Sequence, residues 1–128
     1  MKRFIFIALL LTVSFVAVPA QGEKPMIFRQ PTMNKSDIVF SFAGDLWKVP
    51  RSGGTAVRLT SGTGTEFNPR YSPDGNWIAF SGQYDGNTDV FVIPSSGGIP
   101  RRITYHPNSD GLVGWTNDGK SVVFLSNR

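Results

Sequence analysis

The chain has 128 residues, a formal net charge of +4, 40% hydrophobic residues and no cysteine. That length suits one small domain rather than two, and the lack of cysteine excludes a disulfide framework, thiolate metal sites and cysteine nucleophiles. Lys2 and Arg3 carry two of the positive charges, so residues 21–128 are left at +2, too little for a nucleic-acid surface, and the Arg101-Arg102 pair is too short to form a basic patch.

The first expected element is a leader. Lys2 and Arg3 precede an uncharged run of fifteen residues from Phe4 to Val18, and "VPA" (Val18–Ala20) places small residues where a signal peptidase reads. A spanning helix needs about 20 apolar residues, so residues 1–20 are predicted to be a cleaved signal peptide rather than an anchor. The mature chain then starts near Gln21 and leads an exported life, periplasmic or extracellular, with no membrane attachment after cleavage.

From there the chain reads as short strands and tight turns. "IVFSF" (38–42) and "DLWKV" (45–49) are rich in β-branched and aromatic residues, as half-buried strands are. Pro50 closes the second strand because it has no N–H for a ladder. Ser52-Gly53-Gly54 supplies positive-φ turn positions, and "VRLT" (57–60) is a third strand. "FNPRYS" (67–72) precedes an Asp-Gly turn, then "WIAFS" (77–81), "DVFVI" (89–93), Ser96-Gly97-Gly98 and "RRIT" (101–104) repeat the series. "LVGWT" (112–116), a second Asp-Gly turn and "VVFLS" (122–126) begin it again. No helical periodicity runs through residues 21–128.

The recurrence is quantitative. "YSPDGNWIAF" (71–80) lies over "WTNDGKSVVF" (115–124) at a shift of 44 residues, and "PTMNKSDIVF" (31–40) is a weaker copy 40 residues upstream of the first. "DLWKVPRSGGTAVRLT" (45–60) lies over "DVFVIPSSGGIPRRIT" (89–104), again at 44. The difference between the shifts is the link "SGQYDGNT" (81–88), four residues longer than "SFAG" (41–44). Four antiparallel strands in about 44 residues is the size of a propeller blade. The expected fold class is therefore all-β: a β-propeller segment of four-stranded antiparallel blades, about two and a half of them, in an incomplete ring. Blade one spans approximately 26–62, blade two 66–106, and the start of blade three 111–128. Closing a ring takes further blades, from a longer chain or from several copies in a homo-oligomer.

"GWTNDGKS" (114–121) fits the phosphate-loop pattern G-x-x-x-x-G-K-[ST]. A phosphate loop needs a helix starting at its lysine, whose N–H groups and dipole hold the anion. Here a strand follows, so the match is accidental.

Several other residues invite a functional reading. His106 is the only histidine, but no partner for catalysis is evident, and a turn or blade-edge hydrogen bond is expected of it. "DGNTD" (Asp85–Asp89) alternates oxygen side chains as a calcium loop does, but Val90 and Ser96 stand where that loop wants glycine and glutamate. An Asp-Gly hairpin is the expectation there. Trp47, Trp115, Tyr71 and Phe91 recur at equivalent places and are predicted to pack between blades. Trp77 has Asp37 and Ser121 as equivalents and is expected to face solvent or a partner. "NKS" (Asn34–Ser36) matches a glycosylation sequon, a pattern frequent by chance. No catalytic, cofactor-binding or metal-binding residue is assigned, and no cofactor is expected.

"YSPDGNWIAF" followed by "DVFVIPSSGG" and "RRIT" resembles the WD40-like repeat of TolB and related propellers. "GDLWKVP", "GQYDGNTDVFVIP" and "RRITYHP" carry a narrower likeness, over nearly all of residues 26–128, to the start of tricorn-type serine peptidases. That resemblance implies a six-bladed N-terminal propeller ahead of a seven-bladed one, a PDZ module and a serine peptidase core. The propellers would gate oligopeptides to and from the chamber. It places none of the family's catalytic serine, histidine or glutamate positions here, so this segment would scaffold and gate without doing chemistry. The partners implied are the remaining blades and catalytic domains of a longer chain, with peptides or proteins as ligands and no nucleic acid. The alternatives are a TolB-like periplasmic binding propeller without enzymatic activity, and a propeller joined to an amidohydrolase or prolyl-oligopeptidase-like domain.

Overall fold

The computed structural model describes residues 27–128, all of them strands, turns and connecting loops. The expected signal peptide lies outside the described residues. β1 (Arg29–Met33), β2 (Asp37–Phe42), β3 (Asp45–Pro50) and β4 (Val57–Arg58) form one antiparallel sheet in that order. β5 (Thr65–Tyr71), β6 (Trp77–Gln83), β7 (Thr88–Pro94) and β8 (Arg101–Arg102) form a second. β9 (Asp110–Trp115) and β10 (Val122–Ser126) pair as a third.

The sequence reading of β2, β3, β6, β7 and β10 holds closely, and Pro50 and Pro94 end their strands as the last paired residues. The Ser-Gly-Gly turns also form as expected, with φ of +88° and +122° at Gly53 and Gly54 and +96° and +132° at Gly97 and Gly98. "VRLT" and "RRIT" are shorter strands than predicted, two paired residues each. The cause is the threonine that ends each stretch. Thr60 Oγ1 accepts the Leu46 N–H at 2.9 Å and Thr104 Oγ1 accepts the Val90 N–H at 3.0 Å, so a side chain replaces the backbone acceptor and the ladder stops.

The sheets stack face to face. β5 packs on β1, β2 and β3, and β9 packs on β5, β6 and β7, while β4 and β8 touch chiefly their own β3 and β7. First strands are thus gathered on one side and last strands splayed on the other, which is the radial arrangement of propeller blades. The middle blade is buried on both faces. Ile78, Phe80, Phe91 and Ile93 meet Val39 and Leu46 of the first blade. Ala79, Val90 and Val92 meet Leu112 of the third, flanked by Trp115, Val122 and Phe124. A strand pressed from both sides reads as a continuous apolar run, because alternate side chains point to opposite faces and both faces are dry. β10 keeps one open face instead, with Val123 and Leu125 exposed.

Candidate functional site

In a propeller the first strand of each blade borders the central passage. All three first strands here carry an irregularity that the sequence did not announce. The register slips by one residue between Arg29 and Thr32 on β1, between Phe67 and Arg70 on β5, and opposite Val123/Phe124 on β9. Each slip is a β-bulge, which bends a strand and re-aims its side chains. At two of them a polar residue takes positive φ, +50° at Gln30 and +53° at Asn68. Gln30 Oε1 accepts the Asn68 N–H at 2.7 Å, and Asn68 Nδ2 donates to the Leu112 carbonyl at 2.7 Å. A polar girdle therefore passes from blade to blade along the inner strands. The clue available from sequence was Asn68 before Pro69, since asparagine tolerates positive φ better than most residues.

A second polar feature sits behind the girdle, at each blade junction. Arg58 pairs with Asp45 at 2.7 Å, and Arg102 with Asp89 at 2.6 Å, the aspartates nearly buried in both cases. Thr60 donates to Glu66, and Tyr84 donates from its hydroxyl to the other carboxylate oxygen of Glu66. Glu66 is only 1% exposed, so these donors take the place of water around a buried carboxylate. Burial and the Glu66 carboxylate push the Tyr84 hydroxyl well above the ordinary tyrosine range. The Tyr84 ring fits a cradle of Gly62, Gly64 and Gly82, where any Cβ would run into the ring or into the Gln83 carbonyl. Forty-four residues on, Asp110 replaces Glu66 and Arg128 replaces Tyr84. Arg128 Nη2 is 3.6 Å from Asp110 Oδ2. The nearby Ser126 hydroxyl, and behind it Arg128, lower the Asp110 carboxyl below the usual carboxylate range against the opposing effect of burial, although neither Asp110 oxygen has a partner at hydrogen-bond geometry among the described residues.

The residues singled out from sequence fall mostly into this scaffold. His106 is half-buried, and its Nδ1 accepts the Asn108 N–H at 3.1 Å within a turn. Asp89 is turned toward Arg102 and Thr104 rather than toward Asp85, so the oxygens of Asp85–Asp89 do not converge. Asn87 of that loop instead reaches the His106 carbonyl at 2.9 Å. Phe91 stacks on Phe80 with centroids 5.6 Å apart, and Tyr71 packs against the same junction. Trp115 donates from Nε1 to the Arg70 carbonyl at 2.9 Å across the second junction. Trp47 is paired with Phe40 as Phe91 is with Phe80, on the face of the first sheet that has no neighbouring sheet among the described residues; it covers Phe42 of its own blade, edge-on at 6.1 Å, and donates from Nε1 to the Phe42 carbonyl at 3.2 Å. Trp77 is exposed, as expected. It borders a hollow with Trp115, Arg101 and Lys120. At the first junction Phe91 and Ile93 of β7 fill the matching space, and the third sheet has no such strand among the described residues. Asn34 accepts the N–H groups of Ser36 and Asp37 at 2.9 and 2.8 Å, so the sequon amide belongs to a turn. The stretch 114–121 is the end of β9 and its hairpin, with β10 directly after it. Among the described residues no three His, Asp or Glu side chains gather as metal ligands, and no helix is long and apolar enough to cross a membrane.

Stacked four-stranded sheets with first strands gathered inward define a partial β-propeller. Residues 25–128 match the tricorn protease N-terminal beta propeller domain, and the chain belongs to that family. Tricorn protease homolog 1 of Streptomyces coelicolor is 35% identical over 107 residues, which are 83% of this chain and 10% of that protein. The structure of a putative TolB from Agrobacterium tumefaciens superposes with a TM-score of 0.70 at 26% identity, covering 79% of this chain and 38% of that one. The crystal structure of the tricorn protease superposes with a TM-score of 0.64 at 24% identity over 75% of this chain and 10% of that one, a likeness of fold. The chain thus spans a tenth of each of these two tricorn proteins.

Proposed function

We propose that this chain is the opening part of the N-terminal propeller of an exported tricorn-like serine peptidase, where it scaffolds the enzyme and borders a passage for oligopeptides. It supplies no catalytic residue in this reading. The observation that carries it is the girdle of Gln30, Asn68 and Leu112, which joins three successive inner strands of a tricorn-family propeller. Polar groups spent on each other along the axis favour a rigid wall over a reactive centre. Export rests on the basic, uncharged and small-residue succession of residues 1–20.

The test uses the intact gene product. Val113 is an exposed residue of β9, and Val113→Trp narrows the passage without touching the girdle. Hydrolysis of a ten-residue peptide is expected to slow several-fold while that of a short fluorogenic substrate stays near its original rate. The same fold-change for both substrates in the variant would remove the gating role. The TolB likeness favours a second reading, a binding propeller without chemistry. An intact protein that hydrolyses neither substrate supports that one.

A further inference from the structure

The first hairpin turns of the three blades gather at one end of the propeller. Asn34 Nδ2 of blade one donates to the Gly75 carbonyl of blade two at 3.4 Å, and a Cβ on Gly119 of blade three would lie 3.4 Å from Pro73. Charge divides this end from the other. The ion pairs Arg58–Asp45, Arg102–Asp89 and Arg128–Asp110 all have their aspartates at the starts of β3, β7 and β9, at the opposite end. At the turn end Lys35, Lys48, Arg51, Arg101 and Lys120 have no carboxylate partner among the described residues. The aspartates of this end are spent locally. Asp74 accepts the Ser72 hydroxyl and the Asn76 N–H, Asp118 accepts the Thr116 hydroxyl and the Lys120 N–H, and Asp37 accepts the Ser36 hydroxyl.

Two side chains at this end break the repeat. Lys48 pairs with Val39 as Val92 pairs with Ala79, so it stands in a core register. Val92 is buried there, whereas Lys48 is half-buried and carries its ammonium to the Ser95 carbonyl of the next blade at 2.9 Å. An ammonium has three donors, so two are left over. Trp77 stands exposed where the other blades have Asp37 and Ser121, and it shares a hollow with Arg101 and Lys120. Lys35, Lys48 and Arg51 border a second, polar hollow of about 750 Å³ whose wall includes Asn76, so the two hollows flank one turn. Departures from a local pattern that bring no gain in packing gather at functional sites.

We propose that this end of the propeller docks an acidic segment of a partner protein, its carboxylates meeting Lys35, Lys48, Arg51 and Lys120 and an apolar side chain lying on Trp77. Asp37, Asp74 and Asp118 sit among the cations, which favours a polypeptide: it can space its carboxylates around them, whereas a nucleic acid brings a charge at every phosphate. A second copy of this chain fits poorly, because Asp45, Glu66, Asp89 and Asp110 at its other end are buried. The surface is independent of the peptidase reading.

Fluorescence anisotropy of the intact protein tests this with the fluorescein-labelled peptide Glu-Gly-Glu-Leu-Glu-Gly-Glu, after fluorophosphonate treatment to silence any reactive serine. Saturable binding is expected, at least about tenfold tighter than that of the counterpart with lysine for each glutamate. It should weaken several-fold as NaCl rises from about 50 to about 200 mM. Lys35→Glu and Lys120→Glu should each weaken it about three- to tenfold. Arg29→Glu makes the same change of net charge at the opposite end, where Arg29 is exposed and has no ion pair among the described residues, and should weaken it less than about twofold. Trp77→Ser should weaken binding several-fold and leave its salt dependence unchanged. No saturable binding, or equal losses in Lys35→Glu, Lys120→Glu and Arg29→Glu, would overturn the proposal. Tighter binding of an oligothymidylate of equal length would overturn it in favour of nucleic acid. A protein that binds the acidic peptide but cleaves no peptide keeps this surface and loses the peptidase reading; cleavage without such binding does the reverse.

Discussion

The two blade junctions are built from one repeated plan and hold together by different chemistry. At the first, Glu66 is enclosed by Thr60 and by Tyr84, whose ring fills a cradle of glycines. At the second, Asp110 is set near Thr104, Ser126 and Arg128, and His106 and Asn108 stand where the first has Gly62 and Gly64. The glycines follow from the tyrosine. A ring lying across the linker leaves no room for a Cβ, whereas the second junction has no ring at that place and accepts ordinary side chains. The inner strands diverge in the same way: Asn68 spends its N–H on Gln30, while Leu112 spends its own on Ser81. A duplicated unit therefore fixes where polar groups must be satisfied, and leaves open which side chain satisfies them.

The largest expected effect separates the junctions by burial. Phe80 is fully buried between blades one and two, while its equivalent Phe124 is only half-buried. Phe80→Ala should cost about 4 kcal/mol in chemical denaturation of the intact protein, and Phe124→Ala clearly less. Similar losses would mean that the junctions are equally packed in solution.

The cradle comes next. Gly64→Ala places a Cβ against the Gln83 backbone and should cost about 2 kcal/mol. Gly111→Ala meets nothing within 4 Å and should stay within about 0.5 kcal/mol of wild type. A cycle of Gly62→Ala with Tyr84→Ala isolates the ring itself: the two should couple by about 1 kcal/mol or more, because the methyl group clashes only while the ring is present. Additive losses would show that Tyr84 does not occupy the cradle.

The ion pairs differ more modestly. The Arg102 side chain is 31% exposed and that of Arg58 is 47%. Arg102→Ala should cost about 2 kcal/mol by leaving Asp89 buried without its cation, and Arg58→Ala about 1 kcal/mol. Reversed ranking would place the tighter pair at the first blade.

The smallest effects are those of pH. Asp110, and Asp74 and Asp118 in the two Asp-Gly turns, all have carboxyls lowered from 3.8. For Asp74 and Asp118 the Ser72 and Thr116 hydroxyls are the main cause. A carboxylate whose folded pKa is depressed contributes stability that is present above its unfolded pKa and lost as pH falls through the folded one. Melting temperature should therefore decline below about pH 4, and Asp74→Asn with Asp118→Asn should flatten that decline. Tyr71 runs the other way. Burial, then the Asp37 charge, raises its hydroxyl to about 12, so its contribution is intact below pH 10 and lost as pH rises toward that value. Ultraviolet titration showing Tyr71 ionising near 10 would place it in open solvent.

Much of this architecture was legible beforehand. The shift of 44 residues, the Ser-Gly-Gly turns and the apolar triplets located β2, β3, β6, β7 and β10 because turn chemistry and strand periodicity are local properties. Trp77 was recognisable as a surface residue because it breaks the repeat. The short β4 and β8 were not foreseen, since a threonine hydroxyl capturing a ladder N–H depends on where Leu46 and Val90 lie in the neighbouring strand. Trp47 keeps the register place of Phe91, on the face of the first sheet that no described blade covers.

By itself, the sequence determined the class of fold, the blade count within the chain and the absence of any reason for a phosphate to bind at 114–121. Those follow from patterns a few residues long. Only the tertiary structure decided that Glu66 meets Tyr84, that Gln30 and Asn68 join the inner strands, and that Ser41 is left without a partner. Each of those depends on the angle at which one sheet settles on the next, and so on side chains 18 to 40 residues apart competing for the same few buried donors and acceptors.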